Sequence, residues 1–284
     1  MSTVGKNLTH GRLARQRGHG PEGDFPRQRG CLLAASAARI LAGVYTEELP
    51  LGYLAQASLD ARTATLSGVV LIHDVWGLLE HPRDLARRLA GEGFAVLAVD
   101  LYRREREVRI SDPGRWIREL SDPQALADVQ AGIDFLAGHA ACHGRKIGVI
   151  GFCMGGMVAL LAGCECRGLS AVVPFYGLLS HRDGLLYDPQ GLDPKKKPRE
   201  PLDAVRDLRC PLLGIFAGRD EYVALPDIHQ LERRAKATGQ PAEIVVYAEA
   251  THAFMNDTRP AAYRPDDAHD AWRRMLAFLR KNLG

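Results

Sequence analysis

A chain of 284 residues, 46% apolar and 25% charged, is long enough to bury a sizeable core and fits one α/β domain better than two small ones. Its net charge of +3 is too small to indicate a nucleic-acid partner. Six cysteines without regular spacing exclude a disulfide scaffold and predict reduced thiols in a cytoplasm. No run reaches the ~18 apolar residues needed to span a bilayer.

Residues 1–30 carry Lys6, Arg12, Arg15, Arg17, Arg27 and Arg29 against Glu22 and Asp24, and are rich in Gly, Pro, His and Gln. They are expected to form a flexible basic arm ahead of a single domain covering residues 31–284. The apolar run at 31–38 follows Arg27 and Arg29 as a signal peptide would, but it is short and Arg39 interrupts it. From residue 51 the pattern alternates between strand and helix. Strands are predicted at 51–57 and 67–73, with a turn-rich stretch at 59–64 between them. A helix is predicted at 80–92, where Leu85, Leu89 and Ala90 recur at helical spacing and Gly91 and Gly93 end it.

The uninterrupted apolar run at 94–99 is the pattern of a strand buried on both faces. Asp112-Pro and Asp122-Pro each open a helix, the second running to about Gly138 with Leu126, Val129, Ile133 and Leu136 on one stripe. Further strands are predicted at 147–150, 171–176, 212–217 and 243–247, and further helices at 154–162, 225–237 and 266–283. Strands alternating with helices imply an α/β fold with a mostly parallel sheet and helices on both faces. The long interruption at 181–206, containing Asp193-Pro-Lys-Lys-Lys-Pro-Arg, has the composition of a solvated loop or small cap.

Gly151-Phe-Cys-Met-Gly155 lies between a buried strand and a helix. A sharp strand-to-helix turn lifts a nucleophile clear of the sheet, and glycines two residues to either side remove side chains that would collide there. The helix N-terminus then favours a thiolate and a developing oxyanion at Cys153. The bland alternative is a small buried cysteine in a packing turn. A thiol with a reference pKa of about 8.5 needs a base, and the base needs an orienting carboxylate. Asp220, in Gly-Arg-Asp-Glu-Tyr-Val, follows the strand at 212–217, and His252 follows the strand at 243–247, so the order nucleophile, acid, histidine is met. Glu221 is the rival acid. Among other histidines, His229 and His269 fall in helical patterns. His139 and His143 flank Cys142 without a convergent ligand set, so no metal site is expected.

These residues resemble the dienelactone hydrolase family of α/β-hydrolases over roughly 51–283. The blocks that carry the resemblance are His73-Asp-Val-Trp-Gly77, Val99-Asp-Leu-Tyr102, Gly151-Phe-Cys-Met-Gly-Gly156, Pro174-Phe-Tyr-Gly177, Gly218-Arg-Asp-Glu-Tyr-Val223 and His252-Ala-Phe254. The resemblance implies a Cys-His-Asp triad that cleaves small esters or lactones, with an oxyanion hole from the backbone N–H groups of Val75 and Met154. It places Asp74 where the family carries a Glu that contacts the resting thiol. The alternative for Asp74 is a loop carboxylate bonding nearby backbone N–H groups. It places Arg104 on an arginine that pairs with the substrate carboxylate, and Asn256 where a second such arginine stands. Trp76, Tyr102, Phe152 and Tyr176 are candidates to line an apolar pocket, with ordinary core packing as the alternative for each.

The reading is therefore a hydrolase of small esters or lactones working through a thioester acyl-enzyme, without metal or organic cofactor. Its expected partner is a small-molecule substrate, with neither nucleic acid nor membrane, as a monomer or small homo-oligomer. Acyl transfer to another acceptor, thioester cleavage, or a silent hydrolase fold used as a binding module are the alternatives.

Overall fold

The computed structural model describes residues 39–41, 43–58 and 65–284. The arm expected at 1–30, the apolar run at 31–38 and the turn-rich stretch at 59–64 lie outside the described residues.

The described strands make one nine-stranded sheet. It begins with two strands that the sequence pattern did not mark, β1 (Arg39–Leu41) and β2 (Val44–Leu49), which pair antiparallel with each other. β2 pairs antiparallel with β3 (Gly52–Ala57), and β3 with β5 (Phe94–Val99). From β5 onward the sheet is parallel, in the order β5, β4 (Ser67–Ile72), β6 (Ile147–Phe152), β7 (Leu169–Phe175), β8 (Leu212–Ala217), β9 (Ala242–Tyr247). Every residue of β4, β5, β6 and β8 is buried, as uninterrupted apolar strands between two helical layers should be.

The helices follow from their apolar stripes and caps. α1 (Glu80–Gly91) and α7 (Pro265–Leu283) cover one face; α3 (Asp122–Gly138), α4 (Met154–Glu165) and α6 (Leu225–Ala237) cover the other. Asp112 caps the short α2 (Pro113–Glu119) by accepting the Arg115 N–H at 2.9 Å. At α3 the cap is Ser121, one residue earlier than the Asp-Pro pair suggested, and Asp122 becomes the first helical residue. That shift frees Asp122 for a long-range partner. Lys197 Nζ lies 2.6 Å from its Oδ1, with both side chains almost wholly buried.

Lys197 belongs to the 181–206 segment, so a buried ion pair anchors the stretch read from composition as a solvated loop or small cap. A short helix, α5 (Pro201–Ala204), and two single-turn helices give it internal order. Arg118 donates to the Leu185 carbonyl at 2.9 Å, and the Leu202 N–H to the Leu179 carbonyl at 3.1 Å, fixing both ends. Among the described residues no helix is long and apolar enough to cross a membrane.

β4 and β6 are neighbours, but the chain leaves β4 toward β5 and later returns to build β6, β7, β8 and β9 on the other side. The direction of strand addition thus reverses between β4 and β6, and the carboxyl ends of such a pair border a crevice.

Candidate active site

Cys153 occupies that crevice, between the last residue of β6 and the first of α4. Its backbone sits at φ 56°, ψ −118°, a conformation that costs an L-residue on the order of 1–3 kcal/mol. Close packing enforces it. A Cβ on Gly151 would strike the Gly155 carbonyl oxygen, and one on Gly155 would strike the His73 and Ile72 carbonyls. The Cys153 N–H donates to the Phe175 carbonyl at 3.0 Å, tying the bend to β7. Among the described residues the other non-glycine positions with positive φ are Tyr176 and Ala253, and both adjoin His252. Backbone strain is thus gathered around one place.

Asp220 and His252 arrive on the loops after β8 and β9. Those loops are tied to each other by backbone bonds from Gly218 N–H to Tyr247 O (2.7 Å) and from Arg219 N–H to Ala250 O (2.9 Å), and by an Arg219–Glu249 ion pair. His252 Nδ1 lies 3.0 and 2.9 Å from the two carboxylate oxygens of Asp220, whose side chain is fully buried. Asp220 Oδ1 also accepts the Tyr222 N–H at 2.9 Å. With Nδ1 directed at the carboxylate, Nε2 is the ring nitrogen left to exchange a proton with Cys153. Tyr222 and Tyr176 stand edge-on to the ring, with centroids 4.9 and 5.0 Å away, and fix its plane. His252 Nε2 is buried and forms no hydrogen bond of good geometry, while the Cys153 sulfur is near enough to act on it. Burial by itself would lower the His252 pKa. Negative charge on Cys153 and Asp220 outweighs it and pushes the pKa up to about 10.

Val75 stands on the loop after β4, and Met154 is the first residue of α4, where the N–H has no partner within the helix. Asp74 Oδ1 accepts the Trp76 N–H at 2.9 Å, which is the backbone-bonding alternative considered for it. Burial pushes the Asp74 carboxyl up, against the pull of that N–H, Arg259 and His252.

The remaining candidates separate into two groups. Tyr176 and Trp76 border the site. Phe152 is stacked on Phe175 at 4.7 Å and belongs to the core. Tyr102 is 1% exposed and its hydroxyl meets Val75 and Met154 rather than open space. Arg104 is turned away, with Nη1 and Nη2 on the buried Asp128 carboxylate at 2.6 and 2.7 Å, and Arg103 on the same carboxylate at 2.9 Å. Asn256 is spent on shaping its own loop, its Oδ1 accepting from Thr258 N–H (3.0 Å) and Oγ1 (2.6 Å).

A cation that acts on Asp74 and Tyr176 escaped the sequence reading. Arg259 lies over the Trp76 ring, 5.3 Å from its centroid, and its charge is felt at Asp74 and Tyr176. The signal was slight: an Arg-Pro pair in the histidine loop, at a turn where the Arg259 N–H donates to the Asn256 carbonyl at 3.0 Å. Among the described residues no cluster of three or more His, Cys, Asp or Glu is arranged to hold a metal ion. A cleft of about 470 Å³ lined by Asp122, Leu126, Cys166 and Arg199 lies on the α3–α4 flank, apart from Cys153, Asp220 and His252.

The sequence profile of the dienelactone hydrolase family matches residues 53–283. A Yersinia pestis protein provisionally named carboxymethylenebutenolidase is 33% identical over 244 residues, covering 83% of this chain and 85% of the relative. A Bradyrhizobium protein provisionally named 2-oxo-3-(5-oxofuran-2-ylidene)propanoate lactonase is 31% identical over 239 residues, covering 83% and 91%. A crystal structure from Klebsiella pneumoniae, provisionally described as a dienelactone hydrolase, superposes with a TM-score of 0.68 at 30% identity, covering 84% of this chain and 93% of its own.

Proposed function

Since the chain belongs to the dienelactone hydrolase family and is a hydrolase of that type, we propose that it opens an enol lactone or small activated ester through Cys153, His252 and Asp220. The observation that carries this reading is the histidine. It is held by Nδ1 on a buried carboxylate, flanked by two rings, and near enough to the strained cysteine to interact with it.

Such a histidine takes and holds the thiol proton, and the sulfur attacks the acyl carbon as the thiolate. The carbonyl pair moves onto oxygen, and the oxyanion settles on the Val75 and Met154 N–H groups, each such donor being worth about 3 kcal/mol in the transition state. Collapse of the adduct breaks the acyl C–O bond. The ring oxygen departs and takes up the proton held on His252, and the acyl group remains as a thioester on Cys153. Water then attacks with His252 accepting its proton, and the thiolate leaves with the acid product released.

Sulfur leaves a tetrahedral adduct more readily than a simple alkoxide does, so the forward step needs an oxygen leaving group stabilised by conjugation. That favours enol lactones and aryl esters over peptide amides. The Bradyrhizobium relative's name describes an enol lactone bearing a carboxylate. Arg259 over Trp76 is the cation placed to receive such a group here, Arg104 being engaged with Asp128. The scaffold needs no membrane or metal for this chemistry, and a cytoplasmic setting suits a free thiol nucleophile.

The test is stoichiometric. Iodoacetamide near pH 7 is expected to label Cys153 at one equivalent with loss of lactonase activity, and His252→Ala to slow that labelling at least tenfold. Labelling spread over several cysteines, or untouched activity after complete Cys153 alkylation, removes the proposal.

A further inference from the structure

Two donors from different elements must converge on one oxygen, so something has to hold the loop after β4 against the start of α4. The peptide units on both sides of Val75 are held. The Asp74 carbonyl lies 2.6 Å from His73 Nδ1 and also accepts the Gly77 N–H at 3.2 Å. His73 Nε2 in turn accepts the Leu101 N–H at 3.1 Å. These bonds assign His73 the neutral tautomer with its proton on Nδ1. On the other side, the Val75 carbonyl accepts the Tyr102 hydroxyl at 2.8 Å, and the same oxygen lies 3.3 Å from Met154 Sδ.

One buried phenol therefore touches both residues of the proposed oxyanion hole. Its ring is itself immobilised, edge-on to His73 at 4.9 Å and to Trp116 at 5.4 Å, and its N–H is bonded to Asp100 Oδ1 at 3.0 Å. Burial pushes the Tyr102 pKa well above the ordinary phenol range, so the O–H stays a donor.

We propose that Tyr102 is the positioning residue of the oxyanion hole, its hydroxyl bracing Val75 against Met154 so that their N–H groups point at a common acyl oxygen. This rests on the oxyanion-hole reading above and gives it a mechanical cause. Without the hydroxyl, the Val75 carbonyl loses its buried partner and the backbone torsions around Val75 are released. A donor displaced by a fraction of an ångström then stabilises the developing charge less.

Tyr102→Phe keeps the ring and removes the brace. Its kcat on an enol lactone or aryl ester is expected to fall about tenfold or more with KM within about twofold of wild type. Affinity for an aldehyde inhibitor, whose hemithioacetal places an oxyanion in the hole, is expected to fall by a similar factor. The rate of Cys153 alkylation by iodoacetamide, which forms no oxyanion, is expected to stay within about twofold. Unchanged kcat overturns the inference, as does an alkylation rate that falls together with kcat, since the hydroxyl would then be acting on the thiol. Wild-type Cys153 that resists alkylation overturns the nucleophile reading and this inference with it. A wild type that alkylates normally, beside a fully active Tyr102→Phe, overturns this inference alone. If Tyr102→Phe does not fold, Trp116→Leu removes the indole that stands edge-on to this ring and hydrogen-bonds Tyr102, and the same split between kcat and alkylation is expected at smaller amplitude. No split in that variant overturns the inference too.

Discussion

The two ends of α4 hold chemically similar side chains in opposite circumstances. Cys153 precedes its first residue; Cys164 and Cys166 lie at its last turn and just beyond. At the far end, burial pushes both thiols up to about 12, and each sulfur approaches only a main-chain carbonyl, Leu160 for one and Leu126 for the other. The helix presents its negative pole there, which disfavours a thiolate further. At the near end the same helix presents its positive pole, the backbone bends sharply at the cysteine, and a histidine from ninety-nine positions further along the chain stands beside it. Placement, not residue type, separates a packing sulfur from the one proposed as nucleophile.

The comparison can be broken most directly by exchanging its members. Cys153→Ala is expected to lower turnover of an activated aryl ester by more than about 10⁴-fold, with a trace retained in Cys153→Ser, while Cys166→Ala stays within about twofold of wild type. Comparable losses in both would erase the distinction. Next in size, His252→Ala should slow acylation about 10²–10⁴-fold, measured in a single turnover, with an unaltered far-UV dichroism spectrum. An unchanged rate would mean that the near end owes nothing to the imidazole.

A smaller effect concerns what the near end binds. Arg259→Ala is expected to raise KM about tenfold for a lactone bearing a carboxylate and to leave a neutral ester within about twofold. Equal shifts for both substrates would assign Arg259 to loop packing over Trp76 instead. The smallest effect is on stability. The folded-state pKa of His252 is raised to about 10 from an ordinary value of 6.5. Its contribution is therefore full below about pH 6.5 and is lost as pH rises through 10. The gap in melting temperature between wild type and His252→Ala should shrink across that window; a gap that widens would reverse the sign of the coupling.

What the sequence revealed depended on how local its cause was. The parallel strands were readable because β4, β5, β6 and β8 are buried on both faces and so are apolar without interruption. β2 was not, because Thr46, Glu47 and Glu48 dilute an edge-side strand that alternates between buried and partly exposed positions. The bend at Cys153 announces itself because the backbone contacts behind it admit only glycine at 151 and 155. Pairings between distant charges leave no such trace. Nothing near Arg104 in the chain indicates that Asp128 will claim it, and the lysine run at 195–197 reads as solvated although Lys197 is buried. Tyr102 and Arg259 have roles set by what packs against them, which no spacing encodes.

The buried Lys197–Asp122 contact has a consequence for substrate traffic. The segment it anchors reaches the acid loop, where Gly184 packs against the Tyr222 carbonyl, and Tyr222 in turn borders the histidine. Lifting that segment as a flap would have to part Lys197 from Asp122 and break the hydrogen bonds that Arg118 and the Leu202 N–H make at its two ends. The segment is better regarded as masonry than as a door, and attempts to widen substrate scope should recut its inner surface and leave the footing at Lys197 untouched.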